Sequence, residues 1–236
     1  MRLLINARSD LIDAELNRAF HWSGDVVRWA SPLAKDSYAE YYDESFLDVL
    51  GLTPAQVALH DFWPPGGPRW DGLGKTLNGR AVLVEAKAYV KETTDAGTRA
   101  GPTSRSKILA AIEKTRTYLN GKPNPMWEKE LYQYANRLAH LYYLSVLNGI
   151  DAYLVFVYFL NADDVPSPCT REQWDVAIRD IKAELGLRQH RLESRIADIF
   201  IDTASLKGCE PNKALIVGAT PVSGPFYLMM PSVEAP

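Results

Sequence analysis

Three residues of this 236-residue chain have types and spacing that could do chemistry together: Asp71, Glu85 and Lys87. Glu85 and Lys87 close the apolar run Ala81-Val82-Leu83-Val84-Glu85-Ala86-Lys87, and Asp71 stands upstream of Asn78-Gly79. Strand side chains alternate between faces, so Glu85 and Lys87 share one face, about 6.6 Å apart along the chain. A run this apolar belongs centrally in a sheet covered on both sides, where an unpaired charge is expensive. The two charges must pair, bind a metal, or sit at a cleft that water reaches.

Asn78-Gly79 between two strand-like runs is a strong hairpin signal, and the turn length decides where Asp71 goes. A two-residue loop sets Leu77 against Arg80 and sends Asp71 to the face opposite Glu85. A three-residue loop, with Gly79 left-handed at a bulge, sets Thr76 against Arg80, Leu73 against Leu83 and Asp71 against Glu85. The bulged turn is the expectation adopted. Opposed carboxylates roughly 5 Å apart at Cβ repel unless a cation lies between them, and a hard divalent ion is the usual remedy. Phosphodiester hydrolysis requires such a cation, to activate water and to absorb charge on phosphate oxygens.

Trp70-Asp71, a hairpin, and Glu85-Ala86-Lys87 at the end of its second strand resemble the active-site signature of the PD-(D/E)XK nuclease superfamily. Trp70 stands where the family name has proline. The resemblance implies a restriction-endonuclease-like fold: an α/β three-layer sandwich with a central mixed β-sheet, its core hairpin flanked by helices. It implies that Asp71 and Glu85 hold Mg²⁺, with Mn²⁺ as substitute and the Ala86 carbonyl assisting, while Lys87 positions or deprotonates the water. It further points to Glu40, with Glu44 as stand-in, as an acid from the first helix and metal ligand, and to Gln133 from the helix after the hairpin. The implied activity is a Mg²⁺-dependent nuclease acting on DNA, with RNA as the other polymer open to the same chemistry. A homodimer suits double-strand cutting, though nothing in the sequence demands one.

Glu-x-Lys alone carries little information, since Asp180-Ile181-Lys182 fits the same pattern within a helical segment, where positions i and i+2 diverge. The competing structural reading of Glu85 and Lys87 is an ordinary ion pair where an edge strand meets solvent. Gly72-Leu73-Gly74-Lys75-Thr76 hints at a phosphate loop, but Arg69 replaces the first glycine and a turn follows instead of a helix. Its glycines are better read as letting a substrate backbone approach the strand.

The elements that must position these residues follow from caps and periodicity. Ser9 starts a helix to about Phe20, and Ser31-Pro32 opens one to about Leu50 that carries Glu40 and Glu44 on one face. Thr53-Pro54-Ala55-Gln56 predicts a brief helix. After the hairpin come a polar loop over Lys91–Pro102, a helix to about Leu119, and a helix opened by Asn124-Pro125 and closed at Asn148-Gly149. A buried strand over Ala152–Leu160, a helix capped by Thr170 and stopped at Gly186, and a strand over Ile196–Ile201 complete the order. The tail from Ala214 to Met230 is read as an edge hairpin. One domain spans 1–236, with a nuclease-like core of about 31–202, a helix at 9–20 and a tail at 203–236 added to it.

A formal charge of -3 gives no global pull toward nucleic acid, so any such partner needs a local patch. Lys87, Lys91, Arg99, Arg105, Lys107, Lys114, Arg116 and Lys122 stand against Glu92, Asp95 and Glu113, an excess of five positive charges between Ala86 and Lys122. Lys91, Arg99, Arg105 and Lys107 are the expected nucleic-acid contacts. Gln133, Arg137 and His140 form a stripe best read as exposed, and Trp63, Trp70 and Trp127 belong in the core in preference to stacking on bases. No run is long enough to span a membrane, the start is too short for a secretory signal, and two cysteines do not make a disulfide framework. A cytoplasmic setting is expected. Two other functions use the same residues: a non-catalytic nuclease-like module that binds nucleic acid or a protein partner through the basic 91–122 segment, and a metal-free acid/base hydrolase.

Overall fold

A computed structural model describes residues 1–209. Its centre is a five-stranded mixed sheet in chain order: β1 (Val27–Ser31), β2 (Gly72–Thr76), β3 (Ala81–Lys87), β4 (Ala152–Leu160) and β5 (Ile196–Asp202). β2 runs antiparallel to both β1 and β3, and β3, β4 and β5 are parallel. Parallel neighbours need crossovers, and helices supply them. Between β3 and β4 lie α5 (Pro102–Leu119) and α6 (Tyr132–Tyr142), and α7 (Arg171–Leu185) joins β4 to β5. Both faces are covered, which is why β3 and β4 are apolar along most of their length.

The pleat divides the core. Leu83, Leu154, Phe156 and Tyr158 pack with α5, α6, α7 and α3 (Glu44–Leu50) on one face. Val82, Val84, Val155 and Val157 pack on the other against α1 (Arg2–Ala7) and α2 (Ser9–Phe20), through Leu4, Ile12 and Leu16. The fold is thus α/β with a mixed sheet between helices.

The hairpin follows the bulged register. Leu73 pairs with Leu83 and Gly72 with Val84, Thr76 N donates to the Arg80 carbonyl at 2.8 Å, and Gly79 has φ +87°. The glycines of this strand serve the fold, correcting the substrate-approach reading: a Cβ on Gly74 would lie 2.4 Å from Val27 Cγ1, so β1 itself requires the missing side chain.

The helix expected over residues 31–50 is replaced by strand and loop. Val27, Arg28 and Trp29 pair along β2, and buried Ser31 donates its Oγ to the Ala39 carbonyl at 2.8 Å. Apart from a 3₁₀ turn at Ala34–Asp36, only Glu44–Leu50 is helical, because Asp43, at φ +48°, breaks the helical path before it. Thr53 starts no helix either. Asn148 Oδ1 takes the amides of Gln56 and Val57, and the short helix α4 forms later, at Leu59–Phe62. The helix opened at Asn124 is broken into a 3₁₀ turn (Pro125–Trp127), α6 and a widened turn (Tyr143–Leu147). Trp63, Trp70 and Trp127 are buried. The expected edge hairpin at Ala214–Met230 lies outside the described residues.

Candidate functional site

Beyond Gly72 the hairpin ladder changes character, and this is where Asp71 sits. Its backbone N–H donates to the Val84 carbonyl at 3.1 Å, and its carboxylate Oδ2 accepts from Ala86 N–H at 2.8 Å. The side chain thereby stands in for the ladder carbonyl that would otherwise meet Ala86. Asp71, Ala86, Lys87 and Glu40 line one cavity of about 690 Å³ at the C-terminal end of β3.

Glu85 is buried, with two cations on its carboxylate. Lys87 Nζ meets Oε1 at 2.7 Å, and Arg137 Nε meets Oε2 at 2.6 Å. Burial alone would push the Glu85 carboxyl up, but Arg137 and then Lys87 overcome it and hold the group below its ordinary range. Lys87 Nζ also donates to Gln133 Oε1 at 2.7 Å, so the expected Gln133 joins the cluster directly. Asp71 has the opposite electrostatics. Burial, then the Glu85 charge, raise its carboxyl to about 6, against weaker opposition from the Ala86 amide, Arg137 and Lys87. Among the described residues no Lys or Arg forms an ion pair with it.

The site therefore holds one compensated carboxylate and one that lacks a cation of its own. Mg²⁺ is commonly held by one or two protein carboxylates, with water and substrate phosphate completing its shell. Asp71, with no hydrogen bond to its Oδ1 among the described residues and Glu85 behind it, fits that donor chemistry. Glu40 shares the cavity wall but reaches it from an exposed loop, a correction to its expected place on a helix. Among the described residues, no three His, Cys, Asp or Glu side chains come together as a metal-binding group, so Glu40 does not close with Asp71 and Glu85 into a ready-made trio. Glu44 starts α3 and does not line this cavity.

The stripe on α6 is buried at Arg137 and His140, correcting its expected exposure. Arg137, expected on an exposed stripe, is instead the buried partner of Glu85. The signal for it is two charges on a buried strand needing partners, with Gln133 and Arg137 one helical turn apart on the same face. His140 Nδ1–H donates to the Asn136 carbonyl (2.8 Å), and desolvation, with Arg137 nearby, lowers its pKa to about 4.

The basic segment is ordered by Asp95. Its carboxylate accepts the amides of Gly97 and Gln133, tying the loop to the start of α6. Lys91, Arg99 and Arg105 are exposed, and Arg99 lines a second cleft, of about 420 Å³, together with Arg69, Gln133 and Arg137. Lys107 is exposed but directs its ammonium to the His60 carbonyl at 2.6 Å, away from the cluster. Among the described residues, no helix is long and apolar enough to cross a membrane.

Comparisons of the chain with protein-family models, with curated proteins and with solved structures return no match.

Proposed function

We propose that this chain is a metal-dependent nuclease of the PD-(D/E)XK kind, hydrolysing phosphodiester bonds in DNA. The observation that carries the reading is the bulged hairpin register, Leu73 against Leu83 and Gly72 against Val84, with the Asp71 carboxylate on the amide of Ala86, the residue between Glu85 and Lys87. The order of hairpin, helices, strand, helix and strand supports reading the sheet as restriction-endonuclease-like. Asp71 and Glu85 would hold Mg²⁺ or Mn²⁺, which when bound lowers the pKa of a water and neutralises charge on the phosphate. Lys87, its ammonium held by Glu85 and Gln133, would position or deprotonate that water. Gln133 fixes the Lys87 head group, and Arg99 with its exposed neighbours Lys91 and Arg105 draws in the phosphate backbone.

The test is nicking of supercoiled plasmid while Mg²⁺ or Mn²⁺ is titrated, for the wild type and Lys87→Ala. Cation-dependent nicking that falls by about 100-fold or more in the variant is expected from loss of a group acting on the water. No cation binding at millimolar concentration, with no nicking, removes the catalytic reading.

One observation favours a second reading. Both Glu85 oxygens are already engaged by cations, and the residue is only 3% exposed. A non-catalytic module binding nucleic acid or protein through residues 91–122 has a use for such a self-neutralised cluster as structure alone. DNA retention without nicking, insensitive to divalent cations, is its signature.

A further inference from the structure

We infer that Arg137 is the positioning residue that sets the separation of Asp71 from Glu85; its consequence for cation binding rests on the nuclease reading above, whereas its geometry does not. Regular pairing of β2 with β3 ends at Gly72 and Val84, so neither strand alone dictates where Asp71 lies. The segment entering Asp71 is held instead by single contacts. Trp70 N–H donates to the Tyr41 carbonyl at 3.2 Å, Asp71 N–H to Val84, and Asp71 Oδ2 receives Ala86 N–H.

One guanidinium joins that segment to Glu85. Arg137 Nε donates to Glu85 Oε2 at 2.6 Å, while Nη2 donates to the Arg69 carbonyl at 2.9 Å, two residues before Asp71. The ring of Trp70, between them in sequence, lies 4.9 Å from the guanidinium carbon. Nη1 donates to Asn136 Oδ1 at 2.7 Å, which fixes the rotation of the fork. A planar group with donors in a rigid fork can hold two acceptors at a set spacing, and a lysine ammonium on a flexible stem cannot. Arg137 is 7% exposed, so its fork is spent on the protein and is not free for substrate. It thus acts through Asp71 and Glu85. Groups that orient metal ligands from behind typically change cation affinity by 10–100-fold when removed.

The test reads amide hydrogen exchange by NMR in the metal-free protein, comparing wild type with Arg137→Lys. The amides of Asp71 and Ala86 are expected to exchange about tenfold faster or more, while Thr76 N–H, bonded to Arg80 at the far end of the hairpin, keeps its protection. Unchanged exchange at Asp71 and Ala86 overturns the assignment, and so does equal acceleration at all three, which would mean lost global stability only. Should Arg137→Lys fail to fold, Asn136→Ala frees the fork without removing its charge. The same two amides are then expected to accelerate to a smaller extent, and no change overturns the assignment. Calorimetric titration with Mn²⁺ separates this inference from the nuclease reading. Wild-type binding weakened about tenfold in Arg137→Lys supports both. Equal affinities overturn the positioning role alone. A wild type that binds no Mn²⁺ overturns the nuclease reading, and the exchange data still decide the role of Arg137.

Discussion

Asp71 Oδ2 accepts the backbone amide of Ala86 at 2.8 Å, so a side chain from one strand completes the hydrogen bonding of the residue that separates Glu85 from Lys87 on the other. The two carboxylates consequently belong to one electrostatic system. Glu85 is neutralised by Arg137 and Lys87, and Asp71 is left to feel its burial and the Glu85 charge.

That arrangement makes stability depend on pH at Asp71. Its carboxyl titrates near 6 in the folded chain and at its ordinary 3.8 when unfolded, so between these values the folded state holds more protons. Stability attributable to this group is therefore greatest below 3.8, falls as pH rises through the window, and stays reduced above 6, by on the order of 2–3 kcal/mol. Asp71→Asn, whose amide oxygen can still accept from Ala86, is expected to raise the urea midpoint at pH 8 without metal, with the difference vanishing at pH 3.5. The same variant should lose divalent-cation binding by calorimetry at pH 8. In the wild type, cation affinity should weaken as pH falls through about 6, where proton and metal compete.

His140 works in the opposite sense. Buried and titrating near 4 in the folded chain against an ordinary 6.5, it leaves the unfolded state with more protons between those values. Stability is then full above 6.5 and declines as pH drops toward 4. His140→Gln is expected to flatten the loss of stability between pH 6.5 and 4, read as urea midpoints across that range. An unchanged slope contradicts burial of a neutral imidazole.

Gly79 carries the turn that sets the register. At φ +87°, with open space around a Cβ built on it, its substitution is penalised by backbone conformation alone. Gly79→Ala should lower stability by roughly 1 kcal/mol in denaturant titration. Because the loop length is unchanged, nicking by the folded variant should stay near wild type.

The basic segment should show itself in salt dependence. Simultaneous replacement of Lys91, Arg99 and Arg105 by alanine is expected to weaken duplex binding at low salt. The slope of log affinity against log salt should become shallower by about 0.9 for each phosphate that is no longer neutralised. Lys107→Ala, whose ammonium sits on the His60 carbonyl, should change that slope least. Fluorescence anisotropy across 50–200 mM salt, roughly the range over which such charges are screened, measures both.

Much of this arrangement was legible without coordinates because its causes are local. The span Ala152–Leu160, the Thr170 capping box and the Gly186 stop recur unchanged in the structure, since apolar runs and caps are short-range signals. The bulged turn was readable too, from Asn78-Gly79 and the counting that sets Thr76 against Arg80 and Leu73 against Leu83; the regular pairing then ends at Gly72 and Val84, and Asp71 meets the Val84 carbonyl and the Ala86 amide instead of pairing with Glu85. Edge strand β1 was not, because Val27–Ser31 becomes a strand by pairing with β2, which lies beyond the whole of α3 and α4 in the chain.

The sequence by itself determined that Glu85 and Lys87 share a face and that Asp71 could join them, because strand alternation and turn length are properties of neighbouring residues. Tertiary structure alone decided which charges are compensated. Arg137, 52 residues beyond Glu85, reaches its carboxylate only when α6 packs on the sheet, and no periodicity within α6 names that partner. Burial and long-range charge are set by what the whole fold brings together, so the contrast between a neutralised Glu85 and an uncompensated Asp71 appears only once the layers have closed.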